Sequence, residues 1–360
     1  MDNLLTASDE YAAVEQLHAS GSTDGLPVII PTPERVNRMV LASGLDEDML
    51  LGVMGPMGGA ATVQKVATSA VMAGCTTDHM PVVVAAIRAV CDEAFDLGEM
   101  QGTTHCTAPL VIVNGPARAS CGGVASGFGA LGPGHRANAS IGRALRLCMI
   151  NVGGAVPGVS DMALHGQPGK FTYCLAEDEE ASPFPPLHTT FGYDASQSAV
   201  TVVGAEAPHS TLFQGDADDP DSPDRLLRTI ASVIANPGSN NLHLGGDGAV
   251  TVIMNPIHAS VLGDAGYTRE RVQETLADYA VVSMEQFKRT AGSAFAEKRT
   301  GTTVRAVNDP ANILVVTAGG AGLYTMVMPS WCAGPHTNSA VHAEIAVDQF
   351  CEVPGAAPLS

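Results

Sequence analysis

The run APLVIVNGP (residues 108–116) decides the fold class. An apolar stretch rich in β-branched residues ends in Asn-Gly-Pro, which closes a strand with a turn. It shows no alternation of polar and apolar residues, so it reads as a strand covered on both faces. GAVTVIMNP (248–256) and NILVVTAGGAG (312–322) have the same grammar. FTYCLAEDEE (171–180) reads as a strand ending in carboxylates, and SAVTVVGA (198–205) as a further strand.

Helical patterns lie between these runs. VIIPTPERVNRMVLASG (28–44) reads as a strand, a turn and a helix, with Thr32 as cap and Pro33 in the first turn. After the Gly-rich GPMGGAAT (55–62), Thr62 caps a helix over Val63–Ala73 that stops at Gly74. A second helix is expected over Pro81–Ala94. DRLLRTIASVIANPG (224–238) is a helix ahead of the strand at 248, an order like that of 62–114, which suggests a weak internal repeat. Together these patterns predict an α/β fold with largely parallel sheets and flanking helices.

The expected division follows composition. Residues 1–27 are a polar lead-in with one short helix near Glu10–His18. An α/β domain over 28–213 is separated by the acidic loop QGDADDPDSPD (214–224) from a second α/β half, 224–345. The tail 346–360 is frayed or available for subunit contact, as in a homo-oligomer.

With 360 residues, 45% of them hydrophobic, the chain can bury a sizeable core. A net charge of −19 repels nucleic acid and anionic membrane surfaces. No apolar run approaches the roughly eighteen residues of a membrane span. The start, MDNLLTASDEYAAVEQ, lacks the basic residues and apolar run of a signal peptide. Eight scattered cysteines without a CxxC pair suit a reducing cytoplasm better than a disulfide framework.

One segment breaks the acidic pattern. Residues 100–160 hold no Asp or Glu, although the chain has 37 of them. Within it lie Arg118, Arg136, Arg143 and Arg146, from a total of only 18 Lys and Arg. Burial explains missing acids but not added arginines, so the segment is read as a site for a carboxylate or phosphate. SCGGVASGFGALGPGHRANASIGRALRL (120–147) runs from a Gly-rich loop into a helix, where free N–H groups face a ligand. No Gly-Lys-Ser/Thr closes the loop, and its GFGALG lacks the strand–turn–helix context of a dinucleotide fingerprint. A nucleotide cofactor is therefore not expected. Helical spacing places Arg136, Arg143 and Arg146 on one face, aimed either at substrate or at Glu177, Glu179 and Glu180.

Several residues are candidates for the chemistry. His105, in THCT (104–107), sits at a strand entrance, placed to act as a general base or metal ligand. Cys121, among glycines and near arginines, is a candidate thiolate. Lys170, one of few lysines, is a candidate base or anion ligand. Glu177 is a candidate acid–base group or oxygen ligand for a divalent metal. Thr104, Asn138, Asn240, Asn241, Gly319 and Gly320 are candidate substrate contacts beside the arginines. HExxH and other compact metal motifs are absent, so any metal site would have to be assembled across the fold.

IPTPERV, GGAATVQKVA, AVMAGC, TTHCTAPLVIVNGP, GPGHRANASIGRALRL, NVGGA, QPGKFTYCLAEDEEASPF, NPGSNN and TAGGAG, spread over residues 30–322, resemble a largely uncharacterised bacterial family. Its members are similar to partners or fusion halves of UGSC-motif thiol or selenol proteins. This chain has no Cys-Gly-Ser-Cys, so the resemblance implies that a small redox protein brings the reactive thiol and this chain supplies the substrate pocket. Cys106 stands where the family pattern has proline after histidine. The sequence thus points to an enzyme that cleaves or forms a carbon–heteroatom bond in a small anionic substrate. The alternatives are a ligand-presenting subunit of a thiol or selenol complex and a metal-dependent hydrolase.

Overall fold

The computed structural model describes residues 5–216, 218–331 and 338–346. Among the described residues, twelve strands form two two-stranded and two four-stranded sheets. The two-stranded sheets are β1 (Leu50–Met54) with β2 (Gly59–Thr62), and β8 (Val281–Ser283) with β9 (Thr303–Arg305). The first sheet contains β3 (Ala108–Asn114), β4 (Cys174–Ala176), β5 (Ala199–Ala205) and β12 (Val341–Glu344). The second contains β6 (His209–Leu212), β7 (Val250–Met254), β10 (Ile313–Thr317) and β11 (Tyr324–Met328).

Both sheets are mixed, which corrects the expected parallel arrangement. In each, one parallel pair (β3 with β4, β7 with β10) is extended by two antiparallel strands. The links explain this. A parallel return needs a crossover of a dozen or more residues. In the second sheet only residues 318–323 separate β10 from β11, too few for a parallel return.

The sheets also exchange edges. β5 leads into β6, which pairs with β11 in the second sheet. The chain after β11 returns to pair β12 with β5 in the first. The loop at 214–224 therefore does not separate one sheet from the other.

Alternating side chains of each strand face opposite ways. Leu110, Ile112 and Val203 meet Ile253, Leu314 and Val316 between the two sheets. Val111, Val113, Val200 and Val202 face a helical layer that includes Val63–Ala73, Met80–Val90 and Arg136–Asn151. Val252, Val315 and Val327 face the helices Ser222–Ile234 and Arg269–Tyr279. The result is four layers, helix–sheet–sheet–helix. It explains why the run at 108–114 is apolar throughout: every residue of β3 is buried.

Local signals act as read. Thr32 and Thr62 accept from Arg35 N and Lys65 N, and Gly44 and Gly74 end their helices in the left-handed region. Residues 28–30 form no strand, and GAAT within the Gly-rich turn pairs as β2. Among the described residues, no helix is long and apolar enough to cross a membrane. Cys332, Cys351 and the tail from 347 lie outside the described residues.

Candidate functional site

The polar cluster nearest the expected chemistry lies where β3 and β4 begin. Arg146 comes from the helix Arg136–Asn151, which Gly142 allows to lie close on β4. A Cβ at Gly142 would stand 2.5 Å from Tyr173 N. Lys170 ends the short turn Pro168–Lys170, which Gln167 caps by accepting from Gly169 N. Between the two cations lies Asp161, only 3% exposed. Arg146 Nη2 donates to Asp161 Oδ2 at 2.9 Å, and Lys170 Nζ donates to Oδ1 at 2.9 Å. Arg146 Nη1 also donates to Gln101 Oε1 at 3.2 Å.

Burial alone would raise the Asp161 carboxyl, but the bonds from Lys170 and Arg146 outweigh it and hold the group below the usual carboxylate range. Burial is the largest influence on Lys170 and draws its ammonium below the ordinary value, against the pull of Asp161. Two cations thus share one carboxylate.

Gln101, Thr107, Arg146, Lys170 and Tyr173 line a narrow slot with room for about one water molecule. Two lining atoms, Gln101 Nε2 and Thr107 Oγ1, are buried without a hydrogen-bond partner. Buried polar atoms are nearly always paired, so these mark where an occupant belongs.

His105 and Glu206 stand beside the slot. His105 Nε2 lies 2.8 Å from Glu206 Oε1, and His105 Nδ1 is buried with no partner. The Tyr173 hydroxyl donates to the Glu206 carbonyl at 2.8 Å, and Glu206 N donates to Pro329 O at 3.0 Å. Glu206 is therefore fixed where the chain passes between sheets. A histidine held through one nitrogen presents the other for proton transfer.

The remaining expected residues do not join this cluster. Arg136, Arg143 and Arg146 share no neighbour. Arg136 donates to Gly74 O, while Arg143 binds Asp24 through two bonds of 2.8 Å and reaches Leu26 O and Pro27 O. It is Arg118, not the helix arginines, that holds Glu179 and Glu180. Asn138 clamps the Gly-rich loop through Ala125 and Ala130.

Glu177 is fully buried at the opposite rim, where it receives Arg269 Nη2 at 2.9 Å, Asn114 Nδ2 at 2.5 Å and Leu187 N at 2.7 Å. Burial raises its carboxyl, and Arg269 opposes that. This is a structural ion pair. Cys121 is a further correction: it is buried, and that burial pushes its thiol up to about 11, the reverse of an activated thiolate.

Thr104 is exposed, and its carbonyl accepts from Leu164 N. Asn240 opens the short helix Asn240–Leu244, while Asn241 is buried and binds Gly248 O and Ser330 N. Gly319 N donates to Ser126 O, and Gly320 lies under the ring of Phe128. Asp161, Glu206, Gln101 and Thr107 were not among the sequence candidates. Only Asp161 carried a signal, as the acid that ends the acid-free segment.

Among the described residues, no group of three His, Cys, Asp or Glu side chains is placed to hold a metal ion. No family model and no curated protein matches the chain, so the resemblance rests on its motifs alone.

Proposed function

We propose that the protein is an enzyme acting on a small carboxylate-bearing molecule, with Arg146, Lys170, Gln101 and Thr107 holding the anion and His105–Glu206 moving the proton. The reaction class is cleavage or formation of a carbon–heteroatom bond. The observation that carries this reading is the unpaired, buried Gln101 Nε2 beside two cations that share one carboxylate. The slot offers spare donors next to two cations, and a carboxylate supplies the missing acceptors. Glu206 orients His105 so that its free nitrogen can take or return a proton.

The six free cysteines among the described residues favour a reducing compartment as its setting. Duplication of one helix–strand unit is part of the same reading, supported by the matching orders β5-β3-β4 and β11-β7-β10 within the two sheets.

Titration of the protein with acetate tests the site. The Gln101 side-chain amide should shift in a 15N–1H spectrum, and Lys170→Met should abolish the shift. No displacement at about 10 mM acetate, well above a millimolar Kd, would overturn the assignment.

A further inference from the structure

We infer that the free edge of β6 is a contact between two copies of this chain, which pair β6 antiparallel about a two-fold axis at Thr211. The second sheet then runs on from one copy into the other.

The main chain carries the inference. β6 ends its sheet, with β11 on one side and no strand on the other. Phe213 N donates to Leu323 O at 2.9 Å, one step beyond the pair Leu212 and Tyr324. Bonded pairs alternate along an antiparallel ladder, so Thr211 and His209 also turn to β11. Ser210 and Leu212 therefore turn their N–H and C=O groups outward. Both residues are exposed, Leu212 by 57%, and these groups have no partner among the described residues. The opposite edge of the sheet is covered. β10 is buried throughout, Gln273 Nε2 donates to Ile313 O at 2.7 Å, and Asp178 N donates to Thr317 O at 2.7 Å.

Side chains continue the edge. Leu212 stands directly opposite Tyr324, so the two share one face of the sheet, and Tyr324 is 55% exposed. APHSTLFQG (207–215) holds no Asp, Glu, Lys or Arg. Sheet edges are ordinarily guarded by charge or by cover. Here a chain of net charge −19 leaves a bare edge without a carboxylate.

The occupant follows from the free groups. It is an extended strand, because the edge offers main-chain donors and acceptors in a row. A second β6 fits group for group. With Ser210 opposite Leu212 of the second copy, the outward N–H groups of each meet the outward C=O groups of the other, and none is left over. The Leu212 side chains then lie diagonal to each other on the Tyr324 face, within reach. A cationic partner strand would find no carboxylate on this edge. The contact is small beside the roughly 800 Å2 per partner of a standard interface, so it is reversible.

Sedimentation of the full-length protein over a concentration series should show a monomer–dimer equilibrium. Salt should strengthen it, because screening relieves repulsion between two acidic chains. Leu212→Glu should weaken the dimer about tenfold by placing two carboxylates on the shared face. Ser210→Pro should weaken it by deleting an outward N–H, a change that an edge strand tolerates. Both positions are exposed, so each variant should unfold cooperatively near the native midpoint. Disulfide trapping with diamide as oxidant reads the register. A mixture of Ser210→Cys and Leu212→Cys should cross-link, since bonded antiparallel pairs stand about 5.5 Å apart at Cα, within the span of a disulfide. Ser210→Cys alone should not, and the native protein controls for its own thiols. A monomer at every concentration overturns the inference and leaves the edge to a strand of another protein. A dimer that both Leu212→Glu and Ser210→Pro leave unchanged lies on another surface and equally overturns it. Cross-linking of Ser210→Cys alone, as readily as in the mixture, overturns the pairing.

Discussion

His105 Nε2 and Glu206 Oε1, 2.8 Å apart, tie the entrance of β3 to the point where the chain leaves the first sheet for the second. Because the carboxylate accepts at Nε2, a neutral His105 carries its proton there and keeps a lone pair on Nδ1.

Glu206→Leu should therefore release the tautomer. Without an acceptor at Nε2, the imidazole proton is no longer held on that nitrogen. The 15N shifts of the ring report this directly. An unchanged tautomer would mean that something other than Glu206 sets it.

Arg143→Ala should leave acetate binding intact, against the expectation from sequence. Its guanidinium is occupied by Asp24 and two carbonyls of the lead-in. Loss of that bridge strands a nearly buried carboxylate and should cost about 2–3 kcal/mol in urea unfolding. Proteolysis ahead of residue 28 should accelerate. Loss of acetate binding instead would return Arg143 to the ligand site.

Arg269→Met should destabilise the fold by about 3–5 kcal/mol, because it leaves Glu177 charged and buried without its cation. Glu177→Leu combined with Arg269→Met should recover only part, since Leu187 N would still lack its acceptor. Equilibrium denaturation of the three proteins decides this, and a small effect of Arg269→Met would mean that water reaches the pair.

Stability should fall as pH drops from about 6.5 to about 4. Burial draws His79 down to about 4, and its Nδ1 accepts from Thr76 N at 3.2 Å, so the folded ring is neutral. The unfolded chain protonates first, and stability present above pH 6.5 is lost through that window. The contribution is on the order of 3 kcal/mol. His79→Gln should remove only part of the slope, since burial also lowers His342, His188 and His258. A profile unaltered by His79→Gln would place the titration elsewhere.

Native alkylation at pH 8 should spare Cys121, Cys148 and Cys174, which are buried with thiols raised to about 11, 12 and 12. Half-buried Cys106 should react first among the described cysteines beside the slot. Rapid labelling of Cys121 would contradict its burial.

The helix caps and the buried strands were legible because local chemistry determines them. Thr32, Thr62 and Gly74 act within one turn, and the apolar runs at 108, 250 and 313 need no partner to be recognised. The edge strands were not legible. HSTL and VHAE are short, and they become strands only because a distant strand offers its edge. The site divides the same way. His105 and Lys170 stood out by position and scarcity, and the acid-free segment did contain Arg146. Which arginine faced the slot depended on the acid each one met, and Asp24 and Asp161 both lie outside that segment. Glu206 is one acid among many in an acidic chain, and only the crossing between sheets brings it to His105.

The exchange of edges has a consequence for synthesis. On the ribosome, β5 emerges well over a hundred residues before β12, the strand that covers its edge. Until then the first sheet presents a row of unpaired amides and carbonyls to other nascent copies, a template for intermolecular pairing. The second sheet, β6 to β11, is continuous in the chain, but the first cannot close until the strand beyond it is made. A chain released before residue 341 is a candidate for aggregation or chaperone capture rather than a stable half-protein.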